Sequence, residues 1–221
     1  MRSLRPGRGV LSETASKALL AGYSIAAPAE RLVTDAEAAV VAARELGYPV
    51  VVKVQSPDIA HKADAGGVKL GLTGDEAVRR AFQEVTGVRP GARIEGALVA
   101  RHVDPVAELI AGVKVDPVFG PVVLVGTGGI FAEAIADTSL RLPPLDAEEA
   151  LEMIRELRGL TLLTGARGRP AADLGSLAEV LVRLGELALD LEDRLLELDV
   201  NPLFALPKGA LAGDALVVLR D

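Results

Sequence analysis

Helical and strand-like spacings alternate through the first part of the chain. After Ser12, which suits a helix N-cap, Ala15, Ala18, Leu19 and Gly22 share one helical face, and Gly22 supplies the stop. A short strand is expected around Ile25. Thr34 and Glu37 have capping-box spacing, and Val40, Ala43 and Leu46 continue an apolar stripe that ends at Gly47. Val50, Val51 and Val52 then form a β-branched run of the kind a buried strand uses. Residues 68–72 read as another strand, and Thr73 with Glu76 opens a capped helix reaching residue 86. This alternation predicts a small α/β unit over residues 11–92, preceded by a linker-like, arginine- and glycine-rich stretch over residues 1–10.

From residue 93 onward the pattern becomes strand after strand. Residues 94–100, 106–113 and 121–126 are apolar runs separated by the turn formers Asp104-Pro105 and Asp116-Pro117. The third runs into Gly126-Thr127-Gly128-Gly129, and extended chain is expected through Phe131, Ile135 and Leu140. Asp146 with Glu149 caps a helix, and Asp173 opens a longer one whose Leu174, Leu177, Leu181, Leu184 and Leu191 keep a helical stripe. Two last strands, residues 195–200 and 215–219, flank the turn Pro207-Lys208-Gly209. Centred on Pro207 and Lys208, that turn makes paired positions sum to 415 and sets Asn201 opposite Asp214; a bulge at Gly209 would shift the register by one. Residues 93–221 therefore read as a second unit about a mostly antiparallel sheet, and the chain as α+β.

Composition narrows the function classes. With 50% hydrophobic but only 3% aromatic residues, the core must be aliphatic, and the stacking platforms that single-stranded nucleic acids need are scarce. A formal charge of −7 argues against nucleic acid as a broad partner. There is no cysteine, hence no disulfide framework or thiolate chemistry. No uninterrupted apolar run of about 18 residues occurs and no signal-peptide pattern opens the chain, so a cytoplasmic location without membrane contact is expected.

The chemistry-bearing residues concentrate in two places. Three of the six lysines, Lys53, Lys62 and Lys69, fall within residues 48–72 together with His61, one of the two histidines. Lys53 follows a rigid valine run and can offer an ammonium to an anion, while Gly66 and Gly67 lack Cβ atoms, so their amides can approach a phosphate. Neither GxxxxGK[ST] nor GxGxxG occurs in this stretch, which calls for a different phosphate-binding architecture. In the last hairpin Glu197, Asp199 and Asn201 share a strand face. Asp199, Asn201 and Asp214 then offer hard oxygen ligands on one side, which suits Mg²⁺, a cation that keeps several waters and shares its remaining sites with phosphates. Glu133 and Arg141 are further charged candidates on extended chain, and His102 reads as structural or exposed.

With Lys53, PDIAHKADAGGVKLG, PVVLVGTGGIFAE and ELDVNPL in this order, the chain from Leu11 onward resembles the ATP-grasp subunit of ADP-forming acyl-CoA synthetases, of the acetate-CoA ligase β-subunit type. It is similar, more remotely, to the β subunit of succinyl-CoA synthetase. The resemblance implies an ATP-grasp fold, two α+β subdomains with the nucleotide between them. It also implies the overall reaction acyl-CoA + ADP + phosphate = acid + CoA + ATP, with Mg²⁺, or Mn²⁺ in its place, and ATP or ADP as substrate. By resemblance Lys53 contacts ATP phosphates and the loop at Gly66 and Gly67 covers them; Lys62 can offset charge on the transferring group, and Gly128 and Gly129 are further phosphate-loop candidates. Ala100 and Val103 meet adenine largely through backbone, Glu108 reaches the ribose, and Asp199, Asn201 and Asp214 hold the metal. His61 stands where the family carries a transiently phosphorylated histidine. A neutral imidazole is a competent nucleophile near pH 7, and a covalent intermediate splits one transfer into two.

The resemblance also implies a partner. Both units are needed for nucleotide handling, which leaves no length for the CoA-binding domain that the family's machinery requires, so a CoA-binding α subunit or domain and a hetero-oligomer are expected. Two other readings stay open: a regulatory module of a fused polypeptide such as a protein acetyltransferase, and a scaffold that binds nucleotide only to stabilise an assembly.

Overall fold

The computed structural model describes residues 9–59, 62–128, 137–165, 168 and 170–220. In chain order its elements are β1 (Gly9–Val10), α1 (Glu13–Gly22), β2 (Glu30–Val33), α2 (Ala36–Leu46), β3 (Val50–Gln55), β4 (Val68–Leu72), α3 (Asp75–Thr86), β5 (Gly96–Arg101), β6 (Ala107–Asp116), β7 (Gly120–Thr127) and β8 (Thr138–Arg141). Then come α4 (Ala147–Arg155), α5 (Leu160–Leu163), α6 (Leu174–Asp190), β9 (Leu195–Ala205), β10 (Ala210–Ala212) and β11 (Ala215–Leu219).

The valine run lies inside a four-stranded sheet ordered β2-β5-β3-β4, with every neighbour antiparallel. Because side chains alternate along a strand, Val50, Val52 and Val54 face α2 and α3 and bury against Ala39, Ala43, Val78 and Phe82, while Val51, Lys53 and Gln55 turn to the other face. Two helix starts differ from expectation. Helix α2 is capped by Asp35, which accepts from the Ala38 amide at 2.8 Å; Glu37 is drawn instead to Arg79 of α3, at 2.6 Å. Helix α3 begins after Gly74 with no side-chain cap, and Glu76 also binds Arg79, at 2.7 Å. Arg79 thus engages both glutamates, Glu37 across on α2 and Glu76 within α3, in place of the two capping boxes.

The other unit is a seven-stranded antiparallel sheet, β1-β11-β9-β6-β7-β8, with β10 also paired to β9. One face packs against α1, α4, α5 and α6 in an aliphatic core that includes Leu20, Leu109, Val123, Ile154, Leu181, Leu184 and Leu198. Each such fully buried leucine contributes roughly 2 kcal/mol of transfer free energy. Asp146 and Glu149 form the expected capping box of α4, and Asp173 caps α6. In α1 the expected face is rotated. Ala15 and Ala18 are exposed, whereas Ser16, Leu19 and Leu20 turn inward with a buried Glu13–Lys17 ion pair at 2.6 Å. Ile25 is core rather than strand: its amide donates to Leu20 O at the end of α1, and its side chain joins the aliphatic cluster.

The unit boundaries differ from the sequence reading. Pro28–Val103 form one unit, and the described residues of 1–27 and 104–221 form the other. The apolar run expected to open the second unit is β5, which pairs between β2 and β3. The break at residue 92 marks a change from helix to strand, not a change of unit. Within the expected N-terminal linker, Gly9 and Val10 pair with Leu219 and Val218; residues 1–8 lie outside the described residues.

Candidate active site

In each unit the expected nucleotide- and metal-site residues that fall on strands occupy the sheet face that its own helices leave open. On the small sheet Lys53 stands between Leu98 of β5 and Val68 of β4, turned away from α2 and α3. Gln55 shares that face; it is 3% exposed and its Oε1 has no hydrogen-bond partner. A buried carbonyl oxygen without a donor costs about 1–3 kcal/mol, so Gln55 is a polar group the sequence reading missed. Lys69 belongs elsewhere: it sits opposite Val52 on the helix-facing side and pairs with Glu84 of α3 at 2.7 Å.

The loop after β3 is tied at both ends. Ile59 is buried in the core, and Asp58 accepts the Arg93 amide at 2.6 Å. On the return, the Gly66 amide donates to Ala63 O at 3.0 Å, the Gly67 amide to Lys62 O at 2.7 Å, and Gly67 O accepts from Val54 N at 2.8 Å. The two glycine amides expected to meet phosphate are thus used in the loop's own turns. Gly66 is glycine because φ is +75°, and Gly67 because a Cβ there would lie 2.5 Å from Val54 Cγ1. His61 and Gly129 lie outside the described residues, as do Glu133, Phe131 and Ile135.

Ala100 also departs from its expected role. It is paired with Glu30 on one side and Val51 on the other, so its backbone is committed to the sheet. The next amides, of Arg101 and His102, donate to Ala29 O and Pro49 O. Val103 is the first residue beyond these pairings.

The large sheet carries the acidic residues. The hairpin register follows the expected sum: Ala205 pairs with Ala210, Val200 with Ala215 and Asp199 with Leu216, which brackets Asn201 opposite Asp214. A second feature went unseen in the sequence. Between β6 and β9 the register slips by one between Leu109 and Ala111, so Asn201 and Pro202 both stand against Ile110. The burial phase flips there, from Leu198 and Val200 to Leu203 and Ala205, which leaves Asp199 and Asn201 outside the core. Pro202 within a strand was the signal for this bulge. Two carboxylates and a carboxamide on one hairpin face match the hard-oxygen preference of Mg²⁺ and leave positions for water and phosphate. No group of three or more His, Cys, Asp or Glu residues suited to a metal occurs among the described residues.

Glu108 is exposed on the same open face, opposite Phe204. Its carbonyl accepts the Gly128 amide at 2.9 Å, and a Cβ at position 128 would meet that same oxygen at 2.9 Å. Gly128 is therefore required by close backbone approach. Beside it, Asp137 is 6% exposed and accepts the Arg158 and Gly159 amides at 2.8 and 2.9 Å. Burial alone would raise its pKa, but these amides and the Thr127 hydroxyl outweigh it and hold the carboxyl below the usual value. Arg141 turns to the helix side of the sheet, where it pairs with Glu156, itself bonded by Ser139 Oγ at 2.6 Å. Its role is to tie β8 to the residue that ends α4, and it does not lie on the face that carries Asp199.

Antiparallel sheets with helices on one side and phosphate- and metal-suited residues on the other are the layout of an ATP-grasp domain. Residues 2–219 match the ATP-grasp domain family, and the chain belongs to that family. It is 42% identical over 213 residues to the acetate–CoA ligase (ADP-forming) I subunit beta of Pyrococcus furiosus, covering 95% of this chain and 91% of that one. It is 44% identical over 183 residues to acetate–CoA ligase (ADP-forming) I of Archaeoglobus fulgidus, covering 81% of this chain but only 26% of that longer one. Among solved structures it resembles the dinucleotide-forming acetyl-coenzyme A synthetase 1 of Candidatus Korarchaeum cryptofilum. With coenzyme A and Ca-AMPCP bound, that protein gives a TM-score of 0.92 at 41% identity over 97% of this chain and 95% of that one. A second complex of it, with coenzyme A and Mg-AMPPCP and its phosphohistidine segment pointing towards the nucleotide-binding site, gives 0.83 at 39% identity over 97% and 94%. Relatives of this length are β subunits by name, which implies a partner subunit. No helix among the described residues is long and apolar enough to cross a membrane.

Proposed function

We propose that this chain is the ATP-grasp subunit of an ADP-forming acyl-CoA synthetase of the acetate–CoA ligase type. It exchanges a phosphoryl group between ATP or ADP and His61, and it completes the conversion of acyl-CoA, ADP and phosphate to acid, CoA and ATP with a CoA-binding partner in the cytoplasm. The observation that carries this reading is the match, over 95% of this chain and 91% of the relative, with a β subunit of that enzyme at 42% identity. In the transfer from ATP, an imidazole nitrogen of His61 attacks the γ-phosphorus, an N–P bond forms, the bond to the bridging oxygen breaks, and ADP leaves with the electron pair. Lys53 and Lys62 neutralise phosphate charge, Glu108 orients the ribose and Val103 offers backbone to the base. Asp199, Asn201 and Asp214 would hold Mg²⁺, which would offset charge on the transferring group.

The test is incorporation of γ-labelled phosphate from Mg-ATP into the purified chain, scored for acid lability, in wild type and His61→Ala. Acid-labile label that vanishes in the variant, with ATP binding retained, is the expected result. Label persisting in His61→Ala would overturn the assignment. The longer Archaeoglobus relative favours a second reading, in which this stretch works as one module of a fused polypeptide; activity on acyl-CoA with the partner domain supplied in trans would argue against it.

A further inference from the structure

Phe204 and Gly213 meet beside the carboxylates of the hairpin. Phe204 lies on β9 opposite Glu108 and Leu211. A Cβ at position 213 would come 2.6 Å from Phe204 Cε2, 2.8 Å from Cζ and 3.0 Å from Pro202 Cγ. The Gly213 amide donates to Pro202 O at 2.8 Å, which ties the backbone of residue 213 to β9 beside the phenyl ring. The next residue is Asp214, whose Oδ1 accepts the Ala215 amide at 2.8 Å. Its Cα position follows directly from that of residue 213. Among the described residues Phe204 is the one aromatic on the open face of the large sheet: Tyr23 binds Asp190, Phe82 lies in the small-sheet core and Phe119 sits in the β6–β7 turn.

We propose that the Phe204 ring and the missing side chain of Gly213 form a matched pair that positions the Asp214 carboxylate across from Asn201. Phe204 is thus a positioning residue for the metal site, an inference that rests on the metal assignment made above. Magnesium demands near-ideal octahedral geometry at about 2.0–2.1 Å, so a displacement on the order of 1 Å separates one ligand from the set. A methyl group at position 213 cannot fit against an unmoved ring. Unless the half-buried ring swings aside, the 213–214 backbone moves off β9 and takes the carboxylate with it.

The experiment measures Mn²⁺ affinity by electron paramagnetic resonance on the full chain saturated with AMPPCP, with no turnover required. Gly213→Ala is expected to weaken Mn²⁺ about tenfold or more. Phe204→Leu alone weakens it only about threefold, and the double variant binds no worse than Phe204→Leu, because the smaller side chain makes room for the methyl. Wild-type affinity in Gly213→Ala, or a double variant as weak as Gly213→Ala, overturns the inference. Should Gly213→Ala fail to fold, the double variant carries the test, since it must fold and bind Mn²⁺ as Phe204→Leu does. Asp214→Asn is run alongside. If it binds Mn²⁺ as wild type does, the metal assignment itself falls; if it loses binding while Gly213→Ala keeps it, only the pairing of ring and glycine is wrong.

Discussion

Asp173 holds Gly209 from a distance of 36 residues in sequence: one carboxylate oxygen accepts the Gly209 amide at 3.0 Å, while the group also caps α6 through the Ser176 amide at 3.0 Å. The turn of the acidic hairpin is thereby fastened to the longest helix. The Asp173 amide itself donates to Leu206 O at 2.8 Å, so the link runs in both directions.

Replacing Asp173 with alanine is expected to cost about 1–2 kcal/mol, as loss of an N-cap does, and to loosen the hairpin turn as well. The Gly209 and Ser176 amides hold its carboxyl below the usual range. A depressed folded value means that the stabilisation is present above the unfolded carboxyl value, about pH 4, and is lost as pH falls through the folded value. Urea unfolding at neutral and acid pH checks both parts. Asp173→Asn should keep most of the cap and lose the acid dependence.

Both tyrosines of this tryptophan-free chain donate to carboxylates, Tyr23 to Asp190 at 2.8 Å and Tyr48 to Asp75 at 2.7 Å. Burial first, and then Asp190, push Tyr23 up to about 12, and burial with Asp75 raises Tyr48. A raised folded value contributes stability below the unfolded phenol value of about 10 that disappears as pH climbs through the folded one. Tyrosinate absorbance should therefore lag behind that of a free phenol, and melting temperature should drop over the same alkaline interval. Ionisation of both rings at the free-phenol pH would contradict the two hydrogen bonds.

Gly67→Ala is expected to destabilise the small unit by about 1–3 kcal/mol, because Val54 is fully buried and its Cγ1 cannot yield to an incoming Cβ. Gly66→Ala should cost only about 1 kcal/mol, the penalty of a positive φ, since the space there is open apart from Val88 at 3.7 Å. Chemical denaturation of the two variants separates steric from conformational cause; equal losses would contradict the close contact with Val54.

What the chain declared in advance was whatever depends on local order. The turn at Pro207 and Lys208 set Asn201 against Asp214, because a short turn fixes every pair that follows it. The capping roles of Asp146 and Asp173 and the strand at the valine run likewise depend on near neighbours. What stayed hidden depends on contacts distant in sequence. Nothing in residues 96–101 says that this strand joins β2 and β3 rather than the strands after it, and nothing near Thr34 says that Arg79 will claim Glu37. Lys69 looked like Lys53 in sequence, yet an odd–even difference in sheet pairing sends one towards Glu84 and the other to the open face.

The pairing of β1 with β11 sets Gly9 against Leu219 and Val10 against Val218. In this fold the polypeptide arrives alongside the strand by which it departs. A sheet with neighbouring entrance and exit can be spliced into a longer chain, or left as a separate piece, with its ladder unchanged. That makes it physically reasonable that closely similar sequence stands nearly alone in the Pyrococcus subunit and fills only about a quarter of the Archaeoglobus chain.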